Sequence, residues 1–453
     1  MSGGGRVLPA VAGMLARGSS RADRRRRRLL TAAAAMAALF LLAAVNVLLI
    51  RGTTSSRWAG LVTESGLRPG TALALALLVV PPLALLHQAG RVAQATRERR
   101  LAALRLAGAT PRDVRLLGVV EAVRVGAAGA VAACVLYVPA QRAAMALLGV
   151  KDTERYAIPL WVLPAAVVLV AAAAAVVGLR VSRHVVASPL RVARRAPRPR
   201  PSRYALVPLA AGVLLMVAGT SAGSVDKVGL PLFYAGGIIT VAGVMAGAGR
   251  LVLVSARLAG RRARSPETLL AARALEADPR AWGRTMAVVG LVVAFGTGTG
   301  TIEGDVIHTF REAGSPVDTF WLVSFGLTHL ALLVALLVAV TALVVNRAEA
   351  LLEGGHSMAV LAAGGAPLAS LRRSARRQAL IAATPVCVVS ALAATAGMGP
   401  GVFVTEQPLT ALAWTSGQAL LTTVLAVAAA VAVTAVSGRL LARAASPARL
   451  RTA

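Results

Sequence analysis

Apolar residues come in long unbroken runs along the whole chain, separated by short arginine-rich segments. Ten runs stand out, at roughly 29–50, 71–86, 116–138, 158–179, 204–220, 230–248, 286–300, 320–345, 379–396 and 411–436. Most are long enough to cross a hydrocarbon core of about 30 Å as a helix. None shows the period-two alternation of a barrel strand, and backbone polar groups in lipid must pair within a helix or a closed barrel. The pattern therefore predicts an all-α polytopic membrane protein of about ten transmembrane helices. The seventh run is the shortest and ends in Gly296-Thr297-Gly298-Thr299-Gly300-Thr301, which reads as the outer end of a span.

Composition agrees: 57% of residues are hydrophobic and 15% charged, where a soluble domain carries about 25% charge. The net charge of +31 would suggest nucleic acid if it were evenly spread. Threading ten spans with the N-terminus inside puts 40 of the 49 basic side chains in the inside segments and eight in the outside loops, with Arg124 inside the third span. That asymmetry is the positive-inside signal, so the charge orients the chain and meets anionic headgroups. No aromatic residues interleave with the basic runs, so no nucleic-acid partner is expected. A multi-pass protein of the cell membrane follows, with both termini cytoplasmic. The basic run Arg24 to Arg28 ahead of the first span resembles a signal-peptide n-region, but the apolar run is too long and lacks a cleavage site before Arg51, so the span is retained.

The runs group into blocks. Residues 1–28 form an Arg-rich cytoplasmic N-terminus, and 29–182 a first four-span block. Basic linkers and a two-span insert occupy 183–265, a second four-span block 266–440, and a cytoplasmic tail 441–453. Each block has an even number of spans, so the two have the same orientation and form a parallel repeat.

Between the second and third span of each block lies a repeated elbow. In the first, Glu98, Arg99, Leu101 and Leu104 lie on a helix-favouring stretch that Gly108 is placed to end. Ala109 follows, then Thr110, Pro111, Arg112 and Asp113 read as the cap, first turn and capping box of a new helix. The second copy carries Val360, Leu361, Gly364, Gly365 and Pro367, with Gly364 in register with Gly108 and Pro367 with Pro111, both 256 residues apart. Ala366 replaces the capping Thr, and Gly365 loosens the turn. An anchor for a span would not require Gly and Pro in register in both halves. Glu121 and Arg124, three residues apart in the third span, face one side of a helix as an interfacial ion pair or a latch between helices. Glu303, Asp305, His308 and Glu312 form an acidic patch read as solvated loop outside the seventh span.

Arg99 to Gly129 resembles the signature of the FtsX-like permease family, whose positions here are Arg97-Glu98-Arg99, the turn from Leu104 to Val114, and Glu121-Ala122 entering the next span. The resemblance is close over about 40 residues of the first block. It is fainter over 356–383, where Arg377 stands in the place of Glu121. It implies the permease subunit of an ATP-binding-cassette transporter, with the elbows as the coupling site for a separate ATPase, most simply a dimer. The chain itself has no phosphate-binding loop. Its only lysines, Lys151 and Lys227, follow Val150 and Asp226 rather than a glycine. ATP is thus expected on the partner, and no cofactor, metal or catalytic residue is expected here. Family members usually carry a large extracytoplasmic domain, but the equivalent loops, 51–70 and 302–318, are too short to build a core. The expected substrate is lipid-like or amphipathic, exported or extracted from the bilayer. The alternative is a membrane signal relay to a hydrolase or a kinase, without transport.

Overall fold

In the computed structural model the described residues are 21–50, 68–91, 110–147, 153–186, 201–221, 228–353, 360, 362–402 and 408–436. They are mostly helical, with no strand among them. Nine helices among the described residues are long and apolar enough to cross a membrane, and many large apolar side chains lie on their outward faces. The protein is an all-α multi-pass membrane protein.

The chain divides into two compact units, Met1–Pro197 and Arg198–Ala453. The first holds α1 (Arg21–Leu49), α2 (Arg68–Leu77), α3 (Val80–Arg91), α4 (Pro111–Leu147), the single turn α5 (Thr153–Tyr156) and α6 (Val162–Val186). Here α1 is the hub, packed on α2, α3, α4 and α6. Its buried face is mostly alanine, namely Ala33, Ala34, Ala37 and Ala38, and small residues let membrane helices approach closely.

The second apolar run is a departure from the expected ten unbroken spans. It folds as two helices, α2 and α3, broken at Leu78-Val79. The cause is Pro81-Pro82: neither residue has an N–H to donate, and each ring crowds the carbonyl four residues back. The backbone tightens there, with the Val79 N–H donating to the Ala76 carbonyl at 3.2 Å, before Leu83 N–H restores a full turn on Val79 at 3.1 Å.

At the end of the unit remote from the first elbow, buried polar groups hold the connections. Arg68 donates to the Ile50 carbonyl at the end of α1 at 2.9 Å. Asn46 of α1 and Gln141 of α4 both donate to the Tyr156 carbonyl, at 3.3 Å and 2.7 Å. Asn46 thus ties α1 to the turn before α6.

The second unit holds α7 (Val207–Ser221), α8 (Gly229–Arg261), α9 (Pro266–Ala277), α10 (Pro279–Glu312), α11 (Thr319–Glu353), α12 (Leu368–Val402) and α13 (Pro408–Val436). α7 and α8 pack on each other and on the helices that follow: α8 on α10 and α12, α7 on α12. The α7–α8 contact is close because glycines meet backbone there: a Cβ on Gly243 would lie 2.3 Å from the Leu209 nitrogen.

α10 is the centre of this unit. It packs on α8, α11, α12 and α13, and is the most buried of the long helices. The glycine–threonine run is therefore not a span end. The helix continues for three more turns to Glu312, and its glycines receive neighbours: Gly298 faces Met398, Gly300 faces Gln418 and Gly304 faces Trp414. The threonines bury their hydroxyls on the helix's own carbonyls or across a helix gap, as Thr301 does on Thr297 and Thr297 with Thr422. Glu303, Asp305, His308 and Glu312, expected in a loop, all lie on α10.

Charge divides this unit into two ends. Arg261, Arg262, Arg372, Arg373, Arg376 and Arg377 lie at one, Glu303, Asp305, Glu312 and Asp318 at the other. Only the six residues 313–318 join α10 to α11 at the acidic end, turning through Gly314 at φ +61°.

Candidate coupling elbows

The outgoing side of the first elbow is a reciprocal cap. The Thr110 N–H donates to Asp113 Oδ2 at 2.9 Å, and the Thr110 hydroxyl donates to the same oxygen at 2.7 Å. In return the Asp113 N–H donates to Thr110 Oγ1 at 3.3 Å. These bonds satisfy backbone donors that the first turn of α4 leaves without helical partners. Pro111, which has no N–H to satisfy, is the first helical residue. Hydrogen bonds from the Thr110 hydroxyl, then from its backbone amide, hold the Asp113 carboxyl below the usual carboxylate range. The folded pKa is depressed, so the cap is complete at neutral pH and is lost only as pH falls through that lowered value. Arg112 is exposed beside the cap. Glu98, Arg99, Leu101, Leu104, Gly108 and Ala109 lie outside the described residues.

The second elbow has a different turn. The Gly364 N–H donates to the Val360 carbonyl at 2.9 Å and the Gly365 N–H to Ala362 at 3.1 Å. The left-handed residue is Gly365, at φ +87°, one position beyond the glycine in register with Gly108. Without a capping Thr, α12 starts on the Pro367 carbonyl, which accepts from Ser370 and Leu371 at 3.0 and 3.3 Å. Val360, Gly364, Gly365 and Pro367 are exposed, and Leu361 lies outside the described residues. Beneath the turn, Leu351 and Leu371 are buried together with Ala362 against them.

What the second elbow lacks in local capping it gains from α9. Ser265 caps α9, Pro266 opens it, and Glu267 lies buried in its first turn. Arg373 and Arg377, on successive turns of α12, both reach Glu267, at 3.2 Å and 3.9 Å. Arg377 also donates to the hydroxyls of Ser265 and Thr268. The hydrogen bond from its own backbone amide, aided by the two arginines, holds the Glu267 carboxyl below its ordinary range. This clamp therefore keeps its charge at neutral pH. Arg377 occupies the position that Glu121 holds in the first half, and here it serves a contact with no counterpart in the elbow motif.

The stretch that contains the first elbow matches a known family. Residues 70–190 match the model of the FtsX-like permease C-terminal domain. Over that stretch the chain is similar to an FtsX-like permease domain. No curated protein and no solved structure matches the chain. FtsX-like permeases are membrane transporter components that partner with ATPase subunits in ABC transporters. The FtsX-like segment runs from the start of α2 through α6, so it includes the broken span, the first elbow and the capped start of α4.

Glu121 and Arg124 lie one turn apart on α4 within this segment, Glu121 half-buried and Arg124 exposed. The FtsX-like motif gives no hint of the α9 clamp. A local signal was present in Ser265-Pro266-Glu267-Thr268, a cap, a helix-opening proline and an acidic first turn. Its partners, about 110 residues further on, carry no matching signal.

Proposed function

We propose that this chain is the permease subunit of an ABC transporter, and that its two elbows dock a separate ATPase and receive its motion. The observation that carries this reading is the reciprocal Thr110–Asp113 cap, which sets a rigid start to α4 inside the family-matched segment. A helix whose first turn is fixed transmits a push along its axis, and α4 runs 37 residues from that cap to the far end of its unit. The second elbow docks through the face presented by Val360, Gly365 and Pro367, held in place by the Glu267 clamp. The arginine-rich ends lie in the cytoplasm, with both termini, by the positive-inside distribution. Two permease blocks, at 29–182 and 266–440, serve one ATPase dimer.

The substrate in this reading is lipid-like or amphipathic and moves along the bilayer-facing helices. Outward-facing apolar side chains on α6, α11 and α13, such as Leu169, Leu330, Leu337 and Leu421, support it. Small polar solutes would require intramembrane charges along a pathway.

The test is site-specific photocrosslinking in cells that co-express the cognate cassette ATPase. A photoreactive residue at Arg112 or Ala366 should capture the ATPase. The same residue at exposed Leu160, at the far end of the first unit, should not. Capture from Leu160, or from neither elbow, contradicts the proposal.

A further inference from the structure

One face of α11 changes character along its length. Leu333, Leu337, Val340, Val344 and Arg347 are spaced four, three, four and three residues apart, so they form one stripe down the helix. Leu333 and Leu337 are 52% and 58% exposed, Val340 and Val344 are half-buried against the core, and Arg347 is only 6% exposed. The stripe is about 20 Å long, close to the depth of one leaflet with its headgroups. An apolar track that opens on the bilayer thus leads to a buried cation at the arginine-rich end of the unit.

That cation lacks a counter-charge. One terminal nitrogen of Arg347 donates to Gln378 Oε1 of α12 at 2.7 Å, and the guanidinium lies 5.4 Å from the centre of the Trp282 ring of α10. Its Nε is buried and donates to nothing. Gln378 and Trp282 are neutral, and among the described residues no carboxylate pairs with Arg347. Asn346 beside it spends its amide on Thr285 of α10, at 2.8 Å. A guanidinium is a permanent cation with five N–H donors, and burying one without an opposite charge is strongly unfavourable. A phosphate supplies both missing parts. It brings negative charge, and its oxygens match the fork that Nε–H makes with a terminal N–H.

We infer that Arg347 binds the phosphate of an anionic lipid, with an acyl chain of that lipid along Leu333, Leu337, Val340 and Val344. Track and cation lie on one helix face in the order a lipid requires, chain first and headgroup last. The lipid belongs to the leaflet at the arginine-rich end and serves as a resident counter-charge, not as cargo. It also ties three helices together, since Arg347 of α11 already touches α10 and α12. Leu351, one turn beyond Arg347, packs on Leu371 beneath the second elbow. A filled site therefore steadies the base of that elbow. This last step rests on the transporter reading; the lipid site itself does not.

The experiment needs no ATPase, so its outcome is separable from the outcome for the transporter reading. The full chain is purified in a neutral detergent, and its thermal stability is read as the monodisperse fraction left after heating. Three additions are compared: dioleoylphosphatidylglycerol, dioleoylglycerol, which has the same chains and no phosphate, and inorganic phosphate. Dioleoylphosphatidylglycerol at saturation should raise the midpoint by roughly 5 °C or more, and the other two should do little. Arg262→Gln, at an exposed arginine of the same end, should keep the shift. Arg347→Met should lose most of it. Arg347→Lys, which keeps a charge but has no Nε–H, should lose half or more, and it carries the test if the methionine variant does not purify. A shift in either Arg347 variant equal to the native one overturns the inference, as does the absence of a shift in the native chain. An equal shift from dioleoylglycerol removes the phosphate from the account. An equal shift from inorganic phosphate that Arg347→Met abolishes keeps the anion site and overturns its assignment to a lipid.

Discussion

Thr110→Ala combined with Asp113→Asn should leave the protein in the membrane at near-normal abundance while cutting permease-stimulated ATPase activity roughly fivefold or more. The cap is exposed and local, formed within four residues at the head of a 37-residue helix. Removing an N-cap Thr costs about 1 kcal/mol, far too little to unfold a unit whose helices are held along their whole length. The same loss lets the first turn of α4 fray, and a frayed turn is a poor rod. The double variant therefore separates two roles that share these residues. Loss of the protein from the membrane would make the cap a folding element. Normal insertion with normal stimulation would make it an anchor only. The matched change in the second half is Gly365→Val, not a change at Gly364. Open space surrounds a Cβ at Gly365, so the variant meets no neighbour. It strains only the left-handed backbone, by roughly 1 kcal/mol or more, and should reduce stimulation with little effect on insertion.

Gly283→Val should have the largest effect of any single change on folding. A Cβ there would lie 2.3 Å from the Cα and 2.5 Å from the nitrogen of Gly249. Both are backbone atoms of α8, so no side chain can rotate away. Overpacking of ordinary core sites costs about 1–3 kcal/mol, and a clash between two backbones at the centre of the unit exceeds that range. The helices must separate, and α10 carries contacts to α8, α11, α12 and α13. We expect loss of most monodisperse protein on size-exclusion chromatography, with Gly283→Ala less severe. Gly417→Ala, where a Cβ meets nothing within 4 Å, is the control and should behave as the native chain. Native yield and thermal stability in Gly283→Val would show that the α8–α10 crossing is not tight.

The helices were largely legible in the chain because lipid permits little else: a long apolar run must pair its backbone internally. The cap at Thr110–Asp113 was legible for a related reason, since its partners are three residues apart and their types follow from the donors they satisfy. Two local signals were present but outweighed. Pro81-Pro82 breaks the second span, although hydropathy alone reads it as continuous. Gly296–Thr301 reads as the outer end of a span but lies inside a central helix against neighbouring side chains, because hydropathy does not reveal which neighbours a small residue admits. The contacts that remained hidden join residues far apart in sequence, such as Glu267 with Arg373 and Arg377. Each partner alone looks like a solvated surface charge, and only the packing of α9 on α12 brings them together.

Whether a separate ATPase works through this chain is decided by co-purification. The tagged chain is co-expressed with its cognate cassette ATPase, extracted in mild detergent and purified by the tag. A stable complex of one chain with two ATPase copies is expected, whose ATP hydrolysis exceeds that of the ATPase alone and falls with Thr110→Ala/Asp113→Asn. A chain that purifies alone, while the ATPase remains soluble with unchanged activity, would contradict it.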